Sequence, residues 1–297
     1  MNLLRRALKK AGIYIAVVGL TACINPTGTP KLEAETTGVN MSMQSDLIFI
    51  HGYGGSNCSW KAIDDGVRAF ASPAYIELVG FGSNEPSQNF DFSVESQAKY
   101  LAAKIKNEVN ENATLVAHSY GAAVLLIAML DHGVEPKRII LVDPLAYQQD
   151  LPFFIKGQTI PILSPLISKI MPPSLQVDIV LKAIFADPAK INQAIRSCYI
   201  SEFDIPFHRT ALGETARQLA SFDATRYVER FSELSAEFHI IWGADDPIIK
   251  VDNLPILKRD LNAMTAVSIP DCGHAPHEEC PSDFFRAIEQ IVDPDEE

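Results

Sequence analysis

Cysteine is scarce in this chain: five among 297 residues, too few for disulfides to replace an apolar core. Zinc-type spacing is absent as well. His277 follows His274 by three residues, but no cysteine or carboxylate lies at the spacing a metal site would need. No metal is expected, and no motif calls for a cofactor. Basic residues are outnumbered 25 to 37, for a formal net charge of −12. An acidic surface repels nucleic acid and anionic headgroups, so nucleic acid is not an expected partner. Internal repeats are lacking. No apolar run is long enough to cross a bilayer comfortably; the N-terminal one, Ala11 to Leu20, has ten residues where about twenty are needed.

That short run still carries information. Arg5, Arg6, Lys9 and Lys10 precede it with no acid among them, the charged and apolar regions of an export signal. Leu20-Thr21-Ala22-Cys23 then resembles the bacterial lipobox, in which the cysteine thiol is diacylated and the chain is cut just before it. The expectation is a signal peptide over 1–22, lipidation of Cys23 and attachment to the membrane of a bacterial cell envelope, facing the periplasm or the exterior. Two or more acyl chains anchor stably where one is marginal. Loss of four bases and no acid leaves the shortened chain at −16, so acylation rather than charge would hold it to the membrane. Residues 23–45, rich in Thr, Gly, Pro, Asn and Glu, read as a tether. An ordinary signal peptide cut nearby and an uncleaved anchor helix are the alternatives.

Beyond the tether, strand-forming runs alternate with helical ones. Strands are expected at Leu47–Ile50, Tyr75–Val79, Thr114–Ala117, Arg138–Val142, Phe238–Trp242 and Ala266–Ile269. Such alternation predicts an α/β fold with a mostly parallel sheet flanked by helices. About ninety residues after Asp143 break the rhythm, and Pro152, Pro161, Pro165, Pro172 and Pro173 would cut their first half into short helices.

The most telling stretch is Val116-Ala117-His118-Ser119-Tyr120-Gly121. A strand that turns sharply into a helix holds its corner residue in a strained, exposed conformation, with the N–H groups of the new helix facing whatever that residue attacks. The usual pattern is Gly-x-Ser-x-Gly; here Ala117 replaces the first glycine. A serine hydroxyl is a poor nucleophile until a histidine takes its proton and a carboxylate orients that histidine. Both types follow on loops after strands: Asp245 and Asp246 after Trp242-Gly243-Ala244, then His274 after Asp271-Cys272-Gly273. The order is serine, acid, histidine.

With His51-Gly52-Tyr53-Gly54-Gly55, these motifs resemble the α/β-hydrolase family, specifically single-chain esterases and lipases with a helical cap. The likeness runs from about Leu47 to the C-terminus. It implies a core over 46–147 and 237–297 and a cap over 148–236. It points to Asp246 rather than Asp245 as the acid; Asp143, one strand earlier, is a further candidate or a turn residue before Pro144. Backbone N–H groups of Tyr120 and, by the resemblance, Tyr53 would stabilise the oxyanion. His51 is expected to brace its loop, and His118 to pack or hydrogen-bond. The opening hairpin common in this fold is expected to be short or missing, and Gly80-Phe81-Gly82-Ser83 to serve packing.

The implied reaction is cleavage of a small-molecule carboxylic ester through an acyl-enzyme on Ser119, with an apolar acyl or alcohol part beneath an apolar cap. A thioesterase, a carbon–carbon bond hydrolase and a catalytically silent envelope lipoprotein are the alternatives. Four cysteines remain after Cys23. Cys58, Cys198, Cys272 and Cys280 allow three complete pairings that sequence does not rank, although a Cys272–Cys280 bridge would brace the His274 loop.

Overall fold

A computed structural model describes residues 46–160 and 170–293. The lipobox, Cys23 and the tether through Ser45 lie outside the described residues, as do 161–169 and 294–297. Among the described residues no helix is long and apolar enough to cross a membrane.

Six strands form one wholly parallel sheet: β1 (Asp46–Ile50), β2 (Ser72–Ile76), β3 (Thr114–His118), β4 (Arg138–Val142), β5 (Glu237–Gly243) and β6 (Thr265–Ile269), in the order β2-β1-β3-β4-β5-β6. The helices are α1 (Lys61–Phe70), α2 (Val94–Glu108), α3 (Tyr120–His132), α4 (Phe153–Gln158), α5 (Pro173–Ile184), α6 (Gln193–Glu202), α7 (His208–Ser221), α8 (Thr225–Val228), α9 (Leu254–Asp260), α10 (Pro276–Glu279) and α11 (Pro281–Val292). The expected short or missing opening hairpin falls on residues before β1, outside the described residues.

Side-chain alternation sorts the core into two layers. Leu47 and Phe49 of β1 face α1 and α11, packing with Ile63, Val67, Phe284 and Ile288. Ile48 and Ile50 face the other way, toward α2 and α3. Strands covered on both faces need continuous apolar runs; β3 and most of β4 are buried throughout. Helix α3 is apolar around its circumference because it is nearly enclosed, and it stops at Gly133, whose φ of 58° suits glycine. On α11, Phe284, Ala287, Ile288 and Ile291 form the single buried stripe of a surface helix.

The second strand lies three residues earlier than the expected Tyr75–Val79. It pairs with β1 from Asp46↔Ser72 to Ile50↔Ile76, so Leu78 and Val79 run past the end of their partner. Ser-Pro at its start reads as a turn, but β2 is an edge strand, where proline is tolerated.

Between β4 and β5 the described residues form helices and turns, with no strand. Part of this insertion has its own small core, in which Val177, Leu181, Ile184, Phe185 and Ile195 pack with Ala275 from the loop after β6. The disulfide Cys58–Cys198 links the turn after β1 to α6, and Cys272–Cys280 closes the loop around His274. The chain leaves β1 for β2 on one side and returns for β3 on the other. That reversal is the place where a doubly wound sheet opens a crevice at the carboxyl ends of its strands. Ser119 follows β3 and Gly52 follows β1, so both sit at it.

Candidate active site

Ser119 occupies the corner between β3 and α3 at φ 49° and ψ −115°, a conformation that L-residues seldom adopt and that is held only by surrounding constraints. Those constraints are visible. Its N–H donates to Val142 O at 2.9 Å, and its carbonyl accepts from Ala122 at 3.0 Å and Leu145 at 3.1 Å. A Cβ on Gly121 would come within 2.3 Å of the His51 carbonyl oxygen, so the second small position of the elbow has to be glycine. At the first position Ala117 is completely buried; its methyl is accommodated.

The three residues singled out from sequence meet here. His274 Nε2 lies 2.9 Å from Ser119 Oγ, and His274 Nδ1 lies 2.8 Å from Asp246 Oδ2. The other Asp246 oxygen accepts from the N–H groups of Ile248 at 2.7 Å and Ile249 at 3.0 Å. Burial alone would raise this carboxyl. The His274 charge and hydrogen bond, with the two backbone donors, outweigh it and hold Asp246 below the usual carboxylate range. Asp245 is exposed and takes no part. Asp143, the third acidic candidate, is fully buried beside Asp246 and accepts from Gly243 N at 2.8 Å.

The other histidines brace. Leu78 N donates to His51 Nε2 at 3.0 Å, which leaves the Nδ1 proton to donate to Gly52 O at 2.8 Å. Burial lowers His51 to about 4 and, with repulsion from His274, His118 to about 3, so both rings are neutral near pH 7. His118 Nε2–H donates to the His274 carbonyl at 2.8 Å, fixing the backbone of the residue that contacts Ser119. His277 stacks on Trp60 with ring centres 4.3 Å apart; burial pushes it well below its ordinary value.

A Cβ on Gly52 would meet His118 Nδ1 at 2.7 Å and Ser119 Cβ at 3.2 Å. The loop bearing Tyr53 therefore passes directly against the serine. Tyr120 supplies the first N–H of α3, which has no intrahelical acceptor, and the Tyr53 side chain is anchored by donating to Leu212 O at 2.9 Å.

Ser119 and His274 open into a cavity of about 310 Å³, lined largely by apolar groups from core and insertion, including Tyr53, Leu145, Phe154, Val180, Leu212 and Ile248. Sequence reasoning missed how the insertion is fastened here. Glu279 is buried and accepts from Gly273 at 2.8 Å, Ala186 at 3.1 Å and Asp187 at 2.8 Å. Glu202 accepts from Ser56 Oγ at 2.7 Å and Gly82 N at 3.1 Å. No local pattern announces either clasp, because every partner is remote in sequence or belongs to the backbone.

Comparison with known proteins agrees with this architecture. Lipase 1 of Psychrobacter immobilis is 21% identical over 256 residues, covering 83% of this chain and 77% of that lipase. A pimeloyl-(acyl-carrier protein) methyl ester esterase of Pseudoalteromonas atlantica is 22% identical over 252 residues, 81% of this chain and 91% of the relative. The solved meta-cleavage product hydrolase of Pseudomonas fluorescens superposes with a TM-score of 0.68 at 16% identity, covering 84% of this chain and 91% of its own, a likeness of fold. The profile of the Alpha/beta hydrolase family matches residues 47–288, and the chain belongs to that family.

Proposed function

We propose that the protein is a serine hydrolase of carboxylic esters, with Ser119 as nucleophile, His274 as proton carrier and Asp246 as the group that orients it. The observation that carries this reading is the unbroken line of contacts from Ser119 Oγ through the imidazole to Asp246 at 2.9 and 2.8 Å. Held by Asp246, Nδ1 keeps its proton and Nε2 is free to accept one from the serine hydroxyl. Oγ then bonds to the ester carbon. The tetrahedral oxygen takes the negative charge and faces the N–H groups of Tyr53 and Tyr120, each such donor contributing ~3 kcal/mol. His274 returns the proton to the departing alcohol, leaving an acyl group on Ser119. Water, deprotonated by the same imidazole, repeats the sequence and releases the acid.

An apolar cavity favours an ester with an apolar acyl or alcohol part, and the lipase and esterase names of the two relatives support the same class. In this reading the insertion, 148–236, is the cap over that cavity. On the pattern Leu20-Thr21-Ala22-Cys23 alone, the mature protein is lipid-anchored through Cys23 to the bacterial envelope, with 1–22 removed and 23–45 as tether.

A fluorophosphonate probe and a series of p-nitrophenyl esters test the reaction. Labelling and turnover are expected in the parent protein and neither in Ser119→Ala; labelling that survives this substitution, or background rates across the whole series, would overturn the assignment. Incorporation of labelled palmitate, lost in Cys23→Ser, tests the anchor.

A further inference from the structure

Asp143 directly follows β4, at φ 41°, and is completely shielded from solvent. Its Oδ1 accepts from Gly243 N, but its Oδ2 is buried without a hydrogen-bond partner. A carboxyl oxygen of Asp143, one of Asp246 and a ring nitrogen of His274 all lie within 4.8 Å of one another. Two carboxyls this close, out of water, do not both ionise. Asp246 holds the charge, because three donors converge on it: Ile248 N, Ile249 N and His274. Asp143 has one backbone donor, and burial first, then the negative charge of Asp246, drive its carboxyl well above the usual range.

A neutral Asp143 accounts for the orphan atom. With a proton on Oδ2, that oxygen gains something to donate, and Asp246 is the acceptor in reach. A residue serving only the turn before Pro144 would need Oδ1 alone, which asparagine or serine could supply without the cost of burying a titratable group. We propose that Asp143 is a positioning residue of the acid site: it holds a proton against Asp246, and it takes over the orientation of His274 when Asp246 is removed. The proposal rests on the Ser119–His274–Asp246 reading. Without the Asp246 charge the reason for Asp143 to stay neutral disappears, and its carboxylate is already close enough to the imidazole for a small side-chain shift to join them.

The experiment compares full-length parent, Asp143→Asn, Asp246→Ala and the double variant, by kcat/KM on the best p-nitrophenyl ester and by its pH profile. Asp143→Asn is expected to fall by ~5-fold, since the amide keeps a donor toward Asp246. Asp246→Ala is expected to fall by only ~10- to 100-fold, and the double variant by the ~10⁴-fold typical of a triad without its acid. The acid limb of the profile should also move to lower pH from Asp246→Ala to the double variant, because a carboxylate beside the imidazole has been removed; a merely structural Asp143 would not move it. If Asp246→Ala already loses ~10⁴-fold and the double variant nothing more, the triad stands and this proposal is overturned. Parental activity in both would instead overturn the triad reading, and this proposal with it. Should the double variant fail to fold, the size of the loss in Asp246→Ala alone separates the two outcomes.

Discussion

The backbone N–H of His274 donates to the carbonyl oxygen of Ile184 at 2.8 Å, so the loop carrying the imidazole is held by the last residue of α5 in the insertion. The contact is close on both sides. A Cβ on Gly273 would lie 2.6 Å from that same oxygen and 2.5 Å from Ala186 N. Glu279 completes the clasp by accepting three backbone N–H groups from the two segments. The insertion therefore holds the His274 loop as well as lining the cavity.

Glu279→Ala should on this account be costly. Each buried donor left without an acceptor costs ~1–3 kcal/mol, and three lose theirs. A lowered melting temperature is expected, together with a kcat reduced ~10- to 100-fold while KM changes little, since the apolar cavity wall is untouched. Steady-state kinetics with a thermal melt checks this; a stability loss with unchanged kcat would show that the clasp supports folding alone.

Glu278 gives a pH-dependent prediction. Burial pushes its carboxyl up to about 8, only partly opposed by the hydrogen bond from Tyr199 Oη at 2.9 Å. The folded protein then binds this proton more tightly than the unfolded chain does between about pH 4.5 and 8. Stability from this group is intact below that window and is lost as pH rises through it. Glu278→Gln removes the titration. Denaturant unfolding at pH 5.5 and 8.5 should show the variant gaining roughly 2–4 kcal/mol on the parent between the two values. Parallel behaviour of both proteins would mean that Glu278 is ionised in the fold.

How far such contacts can be read in advance depends on their range. The elbow was legible because its causes are local: a strand-forming run, small residues at 117 and 121, and an apolar helical run from Ala122 to Leu130. His274 and the pair Asp245 and Asp246 were legible as polar residues on loops that each follow a strand, with Asp246 singled out by the family resemblance, and a parallel sheet brings such loops to one edge. The strand near Tyr75 was displaced because the partner's length, not its own hydropathy, fixes where it ends. Asp143 beside Asp246 required knowing that β4 and β5 are neighbours. The Glu279 and Ile184 contacts depend on how the insertion folds back, which no periodicity encodes.

The pairing of Cys58 with Cys198 is another case of this kind, and it bears on substrate binding. The bridge spans 140 residues of sequence and joins core to insertion. The next residue on each side, Ser59 and Tyr199, lines the cavity. Replacing both cysteines by serine should cost ~2–5 kcal/mol of stability and raise KM more than it lowers kcat, because the cavity wall loosens while the Ser119–His274 contact is held from elsewhere. Thermal melts and substrate saturation curves decide it; unchanged KM would mean that the wall is held by packing alone.

Acyl preference provides the sharpest test of the cavity. Transfer of one methylene from water to an apolar wall is worth ~0.8 kcal/mol, about fourfold in kcat/KM for each carbon added while room remains. A space of about 310 Å³ should let that rise continue over several carbons and then level off. Val180 on α5 lines the space, and Val180→Trp would fill part of it without touching Ser119 or His274. The expected outcome is a plateau moved to shorter chains, with the acetate ester hydrolysed at close to the parental rate. A uniform loss across all chain lengths would instead show that the tryptophan had displaced α5 and, through Ile184, the His274 loop.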